Sequence, residues 1–173
     1  EEDKMCVIKA FCGLKGYKDQ NSVFDVLNYA FQSPYYYGHL CGNLCDNPLN
    51  VASLADQFRS VVQIRPDMEN KTRLHHFVLS VADADMSEGA LNDLMRNVVA
   101  YFVKRHFQVA VVRHYSSKGL VYNPHLHVIV NHCNLKGSLF YGNDQSYVEL
   151  KNYLVRVTHC KWKFVYASAS DYE

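Results

Sequence analysis

The stretch that decides the fold covers residues 114–131 and reads HYSSKGLVYNPHLHVIVN. Its second half is aliphatic apart from two histidines, which is typical of a buried strand, and side chains two apart on a strand point to the same face. His125 and His127 are therefore predicted to converge, with Leu126 facing the core. Residues 107–114 also have strand character, and a glycine-containing loop lets the second strand return antiparallel beside the first. This hairpin is expected to bring His114 to the same edge of the sheet.

Three histidines at this spacing predict a site for one divalent ion. A single buried histidine is more often a hydrogen-bonded core residue, but two that flank one apolar residue favour metal binding. Neutral nitrogen ligands suit manganese, nickel or zinc in the purified protein, whereas magnesium, which prefers oxygen ligands, is a candidate in the cell. Three imidazoles leave coordination positions open, so a bound ion can act as a Lewis acid on a substrate oxygen. Phosphodiester cleavage fits such a site.

The nucleophile must come from another residue, and tyrosine is the natural candidate. A phenol oxygen can attack phosphorus and store the bond as a phosphotyrosine. The chain has 13 tyrosines, and most must be structural because tyrosine is common at half-buried positions. The candidates are Tyr29 on an early helix, the run at 35–37, and Tyr147 or Tyr153 on the last helix.

Length and composition indicate one ordinary globular domain. The chain has 173 residues, of which 49% are hydrophobic and 20% charged, so disorder and fibrous structure are excluded. No apolar run approaches the length that spans a bilayer, and the acidic residues 1–3 are unlike the basic start of a signal peptide. We therefore expect a soluble cytoplasmic protein without membrane insertion.

The cysteines and charges add two weaker indications. The six cysteines are expected to be reduced; Cys41 and Cys45 have a spacing that zinc sites use, but no second pair completes the site. The formal net charge of +1 gives no overall nucleic-acid signature. A local basic rim is nevertheless predicted around the histidine segment, formed by Lys104, Arg105, Arg113 and Lys118.

The pattern of apolar residues predicts an α+β fold in which helices cover a central, mostly antiparallel sheet. Ser22, Asn50 or Ser53, and Ser87 are the predicted openings of the first three helices. The predicted strands are 6–11, 74–81, 107–114, 125–130 and a short one at 138–141, with 35–45 as a strand or ordered loop; the predicted helices are 22–31, 50–62, 87–102 and 145–158.

Several of these segments resemble the motifs of a known family. His114, Ser116, the run Asn123 to His127, and Asn131 resemble the third motif of the conjugative relaxases, which are HUH (His-hydrophobe-His) single-strand endonucleases that initiate plasmid and transposon transfer. Residues 24–30, followed by Gly38-His39 and Asn43 to Cys45, are similar to the first motif, which carries the nucleophilic tyrosine. Residues 75–80 resemble the second motif, whose serine contacts DNA near the nick. The resemblance covers about residues 5–164.

The resemblance implies a set of functional residues. Tyr29 becomes the nucleophile, and His114, His125 and His127 become the metal ligands. Ser80, Tyr36, Arg113 and Lys118 are the expected DNA contacts, and Ser116 and Asn131 are expected to lie behind the metal ligands. The family commonly has aspartate where this chain has Ser116. A serine cannot orient or charge-stabilise a histidine as a carboxylate does, so proton handling or ligand tuning is expected to differ.

The resemblance also implies a fold, an activity and partners. The fold is α+β with a central, mostly antiparallel five-stranded sheet flanked by helices. The activity is site- and strand-specific nicking and strand transfer at the origin of transfer of a plasmid or conjugative transposon, through a 5′-phosphotyrosine with manganese or magnesium. The expected partners are single-stranded or hairpin DNA, relaxosome accessory proteins and a type IV coupling protein in the bacterial cytoplasm. Residues 1–173 are expected to be one relaxase domain, the N-terminal part of a longer protein.

Two alternatives remain open from the sequence. Rolling-circle replication initiators and single-tyrosine transposases with the same histidine pair place their tyrosine after it, which would nominate Tyr147 or Tyr153. The second alternative is a catalytically silent, metal-stabilised DNA-binding module, in which Ser116 marks a decayed site. Motif order favours the relaxase, because the Tyr29 segment precedes the histidines.

Overall fold

The computed structural model describes residues 5–12, 16–45, 50–68, 71–81, 86–119 and 122–172. Strands and helices follow one another in the order β1 (Cys6–Phe11), α1 (Ser22–Phe31), β2 (Tyr36–Gly42), α2 (Val51–Val62), β3 (Leu74–Ser80), α3 (Glu88–Val103), β4 (Val109–His114), β5 (His125–Asn131), α4 (Asp144–Thr158) and β6 (Trp162–Tyr166). Short 3₁₀ helices cover Pro66–Met68 and Ala169–Tyr172. Within the described residues, no helix has both the length and the apolar character that crossing a bilayer requires.

The strands form one sheet in the order β2-β4-β5-β3-β1-β6. All neighbouring pairs are antiparallel except β1 and β6, which are parallel. The predicted α+β fold is therefore confirmed, but the sheet has six strands and not five. The sixth strand, β6, follows the last helix and pairs with the edge of β1. Its five residues contain too little alternation to indicate a strand from sequence alone.

One expected strand is wrong. Residues 138–141 form only an isolated bridge between Cys133 and Leu139. Phe140 is buried in the core instead, and its backbone N–H donates to the carbonyl of His132. The segment therefore forms a packed loop after a turn at 134–137.

The helix starts follow two of the three expected caps. The side chain of Asn50 accepts from the backbone N–H of Ser53, and the side chain of Ser87 accepts from that of Ala90, as N-caps do. Ser22 is already the first helical residue of α1, and Asn21 takes the cap position without a side-chain hydrogen bond. The Ser22 cap was therefore wrong by one residue.

Helices cover both faces of the sheet. On one face, α3 and α4 pack over a large core that includes Phe77, Phe102 and Leu126. On the other face, α1 and α2 pack over a smaller core that includes Leu74, Val112 and Ile129. Because side chains alternate along a strand, His125 and His127 share the face of Ile129, beside α1. The fold thus places the histidines between two central strands and the first helix.

Candidate metal centre and active site

The three histidines of the opening motif meet at one end of the two central strands. In the antiparallel register, His114 on β4 lies directly opposite His125 on β5, and His127 follows two residues later on the same face. All three are buried, and one potential ligand nitrogen from each lies within 4.8 Å of the others. The predicted hairpin and the convergence of the three rings are confirmed. Within the described residues no other group of three or more ligand-type side chains forms, so Cys41 and Cys45 belong to none.

Each ring uses one nitrogen for a hydrogen bond and leaves the other available. His114 Nε2 donates to the carbonyl of Ala30 at 2.7 Å, and His125 Nδ1 donates to the carbonyl of Asn123 at 2.8 Å. A carbonyl can only accept, so these two nitrogens carry the protons and their ring partners keep a lone pair. The third ring, His127, has its Nδ1 2.9 Å from Nε2 of His76. Three lone pairs on fixed rings suit a divalent ion.

Burial keeps these imidazoles neutral, which is the form that binds metal. Loss of solvation lowers the pKa of His114 and of His125 from the ordinary value. The pKa of His127 falls well below it, first because of burial and then because of His76 and the other two rings. Burial, with a smaller effect of His114, lowers the pKa of His76 to about 4.

Tyr29 stands beside this cluster and faces solvent. Its side chain is 63% exposed, and its ring meets His127 edge-on with the ring centroids 5.7 Å apart. Neighbours on α1 such as Leu27 are fully buried. Tyr29 is therefore not a core packing residue of α1.

Two cavities lie on either side of Tyr29. The first, here called the Lys118 cavity, has a volume of about 420 Å³ and is lined among others by Tyr29, His114, Ser116, Lys118 and His125. The second, here called the Phe11 cavity, has a volume of about 480 Å³; its lining includes Phe11, Tyr17, Tyr29, His76 and His127. A chain-like ligand that crosses Tyr29 can therefore occupy space on both sides of it.

The tyrosines of the last helix lie on the opposite face of the sheet. Tyr147, on α4, is buried in the core and stacks on Phe164. Burial raises the pKa of its phenol. Tyr153 packs against the same core and donates its hydroxyl proton to the carbonyl of Asn97 at 2.8 Å. A nucleophile after the histidine pair therefore gains no support from the geometry.

Three of the expected DNA contacts lie next to the cluster. Ser80, at the end of β3, is opposite His125 in the register and half-buried. Lys118 lines the cavity named after it. Tyr36, on β2, is opposite His114; its hydroxyl is hydrogen-bonded to His39 Nδ1, and burial raises its pKa.

Arg113 does not lie at the site. Its neighbour His114 points into the cluster, so alternation turns Arg113 to the other face, where it is 2% exposed. Its guanidinium donates to both carboxylate oxygens of Glu88, at 2.6 and 2.7 Å, and lies 4.7 Å from the ring centroid of Tyr37. The expected contact of Arg113 with DNA is therefore not supported.

The two residues expected behind the ligands have different positions. Asn131 is fully buried, and its amide donates to the carbonyl of Phe58 and to Gln108. Six residues of strand separate it from His125, about 20 Å, so its expected place behind the ligands is wrong. Ser116 is buried, lines the Lys118 cavity and donates to the carbonyl of Ser117 at 3.3 Å.

Sequence reasoning missed one residue of the site, His76. In the sequence, this histidine belongs to the predicted strand 74–81 and to the segment 75–80 that resembles the second motif, and neither assigns it a role. Side-chain alternation along β3 could have located it, because His76 and Ser80 are four residues apart and therefore lie on the same face of the sheet. Since Ser80 was expected near the cluster, alternation predicts that His76 lies on the same face as the cluster.

Comparison with known families identifies a matching family model. A family model described as "Relaxase: MobA/VirD2-like, nuclease domain" matches residues 36–159. The matched residues run from β2 to the end of α4 and include His76 and the three clustered histidines. Tyr29 precedes the matched region. A search of curated proteins found no match.

Proposed function

The chain belongs to the MobA/VirD2-like relaxase nuclease family, and from this premise we propose that it nicks one DNA strand at an origin of transfer and can rejoin it. The observation that carries the proposal is the exposed Tyr29 beside three buried imidazoles, at the junction of two cavities. This arrangement offers a nucleophile, a site for a cation and room for a strand on either side.

The three histidines are proposed to hold one divalent ion, manganese or magnesium in the cell, and nickel or zinc in some purified preparations. The residues fit such an ion, because each ring is held by one nitrogen while the other keeps a lone pair. Bound there, the ion supplies Lewis-acid polarisation of a phosphate oxygen. The chain contributes the rigid, neutral and desolvated ligand set.

Tyr29 is the proposed nucleophile. Its Oη forms a bond to the scissile phosphorus as the bond from phosphorus to the 3′ oxygen breaks; the phenol loses its proton and the 3′ oxygen gains one. The products are a 5′-phosphotyrosine and a free 3′-hydroxyl. Because the ester keeps the bond energy that hydrolysis would release, the 3′-hydroxyl of a cut strand can reverse the step. Strand transfer is therefore the expected activity.

Single-stranded DNA is the proposed substrate. Lys118 and Ser80 lie beside the cluster and can meet the backbone phosphates. Tyr35, Tyr37 and Tyr115 form a set of edge-on ring contacts next to the Lys118 cavity, and Tyr37 is exposed. Unpaired bases can stack on such rings, whereas the bases of a duplex are already stacked on one another.

The test is a covalent-adduct assay with a single-stranded oligonucleotide that spans the cognate transfer origin. Wild-type protein and Tyr153→Phe should give an adduct that survives denaturing electrophoresis, and Tyr29→Phe should give none while it keeps its fold and its DNA affinity. An adduct with Tyr29→Phe but not with Tyr153→Phe would show that the tyrosine follows the histidines, as in replication initiators.

Two further outcomes of the same assay also decide against the proposal. If no variant forms an adduct although metal and single-stranded DNA both bind, the chain is a silent DNA-binding module. Equal affinity for a hairpin-free duplex and for the single strand, at one salt concentration, contradicts the proposed substrate.

The cellular setting is part of the proposal. We infer that the nuclease domain works in the bacterial cytoplasm as the front part of a longer protein. Its proposed partners are the accessory proteins of a relaxosome and a type IV coupling protein. The family membership supports these inferences, and a pull-down from a host that carries the cognate element tests them.

A further inference from the structure

His127 differs from the other two clustered histidines in what holds its ring. His114 and His125 donate to backbone carbonyls, of Ala30 and Asn123, which are fixed by the fold. His127 Nδ1 is instead 2.9 Å from the side chain of another residue, at Nε2 of His76. The orientation of one of the three rings therefore depends on a side chain that a single substitution can remove.

The surroundings of His76 hold it in place. The residue is buried, and its ring is nearly parallel to those of Phe11 and His127, with centroid distances of 5.1 and 5.2 Å. Its second nitrogen, Nδ1, lies 3.4 Å from the hydroxyl of Tyr17. His76 is thus packed between two rings and has a polar partner at each nitrogen.

The number of protons on each ring determines which nitrogen donates and which accepts in this chain of contacts. A neutral imidazole carries one proton, so if Nε2 of His127 is to keep a lone pair for a metal ion, its Nδ1 must carry the proton. That proton then points at His76 Nε2, which must accept it. The proton of His76 is consequently on Nδ1, directed at the oxygen of Tyr17.

We propose that His76 is a positioning residue for the metal centre: its Nε2 accepts the Nδ1–H of His127 and so holds the His127 Nε2 lone pair toward His114 and His125. This inference rests on the metal site of the proposed function. Here an imidazole does what a carboxylate often does behind a metal-bound histidine. Since a neutral ring adds no negative charge, the cluster keeps the full positive charge of a bound divalent ion for an incoming phosphate.

Manganese calorimetry on three variants tests the proposal. His76→Phe keeps a ring between Phe11 and His127 but removes the acceptor, and it should weaken manganese binding roughly tenfold to a hundredfold. His76→Gln places an oxygen where Nε2 was, and it should restore most of the affinity. His75→Phe is the matched control, because His75 is also a histidine of β3, half-buried, but pairs with His132 on the other face; it should bind manganese like the wild type.

A measurement on the unmodified chain covers the case in which His76→Phe fails to fold. In the zinc-loaded protein, long-range ¹H–¹⁵N correlation spectra should show both His127 and His76 as Nδ1–H tautomers. An Nε2–H tautomer of His76 overturns the proposal. So does a folded His76→Phe with wild-type affinity, or a folded His76→Gln that loses as much affinity as His76→Phe.

These outcomes are distinct from a failure of the proposed function. If the wild-type chain binds no manganese, the metal site itself is wrong. If it binds manganese and His76→Phe binds equally well, only the role of His76 is wrong.

Discussion

At the scale of single residues, each histidine ring of the site has one nitrogen in a hydrogen bond and the other nitrogen available for an ion. His125 is the clearest case, because its Nδ1 donates to Asn123, two residues before it in the chain. The local turn therefore orients the ring before any ion arrives, and the entropic cost of binding is reduced.

We expect His125→Ala to abolish tight manganese binding, because two imidazoles remain where three are needed. The measurement is titration calorimetry, with His159→Asn as the control; His159 is an exposed histidine in the left-handed conformation, which asparagine tolerates. Undiminished manganese affinity in His125→Ala would show that the ion, if bound, lies elsewhere.

The sequence was sufficient for the three histidines but not for every residue around them. Strand alternation and one hairpin place His114, His125 and His127 together, and both signals are local. Asn131 follows the same motif yet lies at the far end of β5, because a motif in sequence need not be compact in space. Arg113 was expected at the site, but the same alternation that directs His114 into the cluster directs its neighbour Arg113 to the other face of the sheet.

At the scale of elements, the buried Arg113 connects β4 to the start of α3. Glu88 is the first residue of that helix, where a carboxylate also interacts favourably with the helix dipole. The Arg113 guanidinium lowers the pKa of Glu88. The pair thus ties the strand that carries His114 to the helix behind the sheet.

We expect Glu88→Gln to lower the urea midpoint of unfolding, because the Arg113 guanidinium would stay buried without its counter-charge. Asp93→Asn on the same helix is the control: its partner Arg96 and Asp93 itself are both largely exposed, and such pairs contribute little. Equal midpoints for the two variants would mean that the Arg113 pair adds nothing beyond a surface contact.

Elements with local signals were predicted, and those fixed by distant partners were not. The apolar residues of α3 recur at helical spacing between Leu91 and Phe102, and its cap, Ser87, comes directly before the helix. Strand β6 exists because residues 162–166 add in parallel to β1, more than 150 positions earlier. The five residues of β6 alone cannot indicate that they pair with a strand so far away in the sequence.

At the scale of the whole molecule, the sheet separates two buried polar systems. The site lies on the face of α1, and the pair His75 and His132 lies on the face of α4, where His132 also bonds the carbonyl of Phe140. Burial, followed by His132, lowers the pKa of His75 to about 3, and the pKa of His76 is about 4.

These shifts predict a stability that falls with acidification of the metal-free protein. Between pH 6.5 and about 4, the unfolded chain takes up protons at His75 and His76 that the folded chain does not. Each group then costs at most about 1.4 kcal/mol per pH unit. Thermal melts at pH 7, 6 and 5 should therefore show a falling midpoint, and a constant midpoint would mean that these histidines are already accessible to protons in the folded state.

The burial of β4 and β5 at every position has a consequence for how the site can be observed. Amide hydrogens on such central strands exchange with deuterium only when the whole domain opens. A metal ion that binds the folded chain alone, at a concentration of about 100 times its dissociation constant, stabilises it by about 2.7 kcal/mol. Exchange at these amides would then slow about a hundredfold, including on residues far from the ion, so amides along the whole length of the central strands report whether the site at their end is occupied.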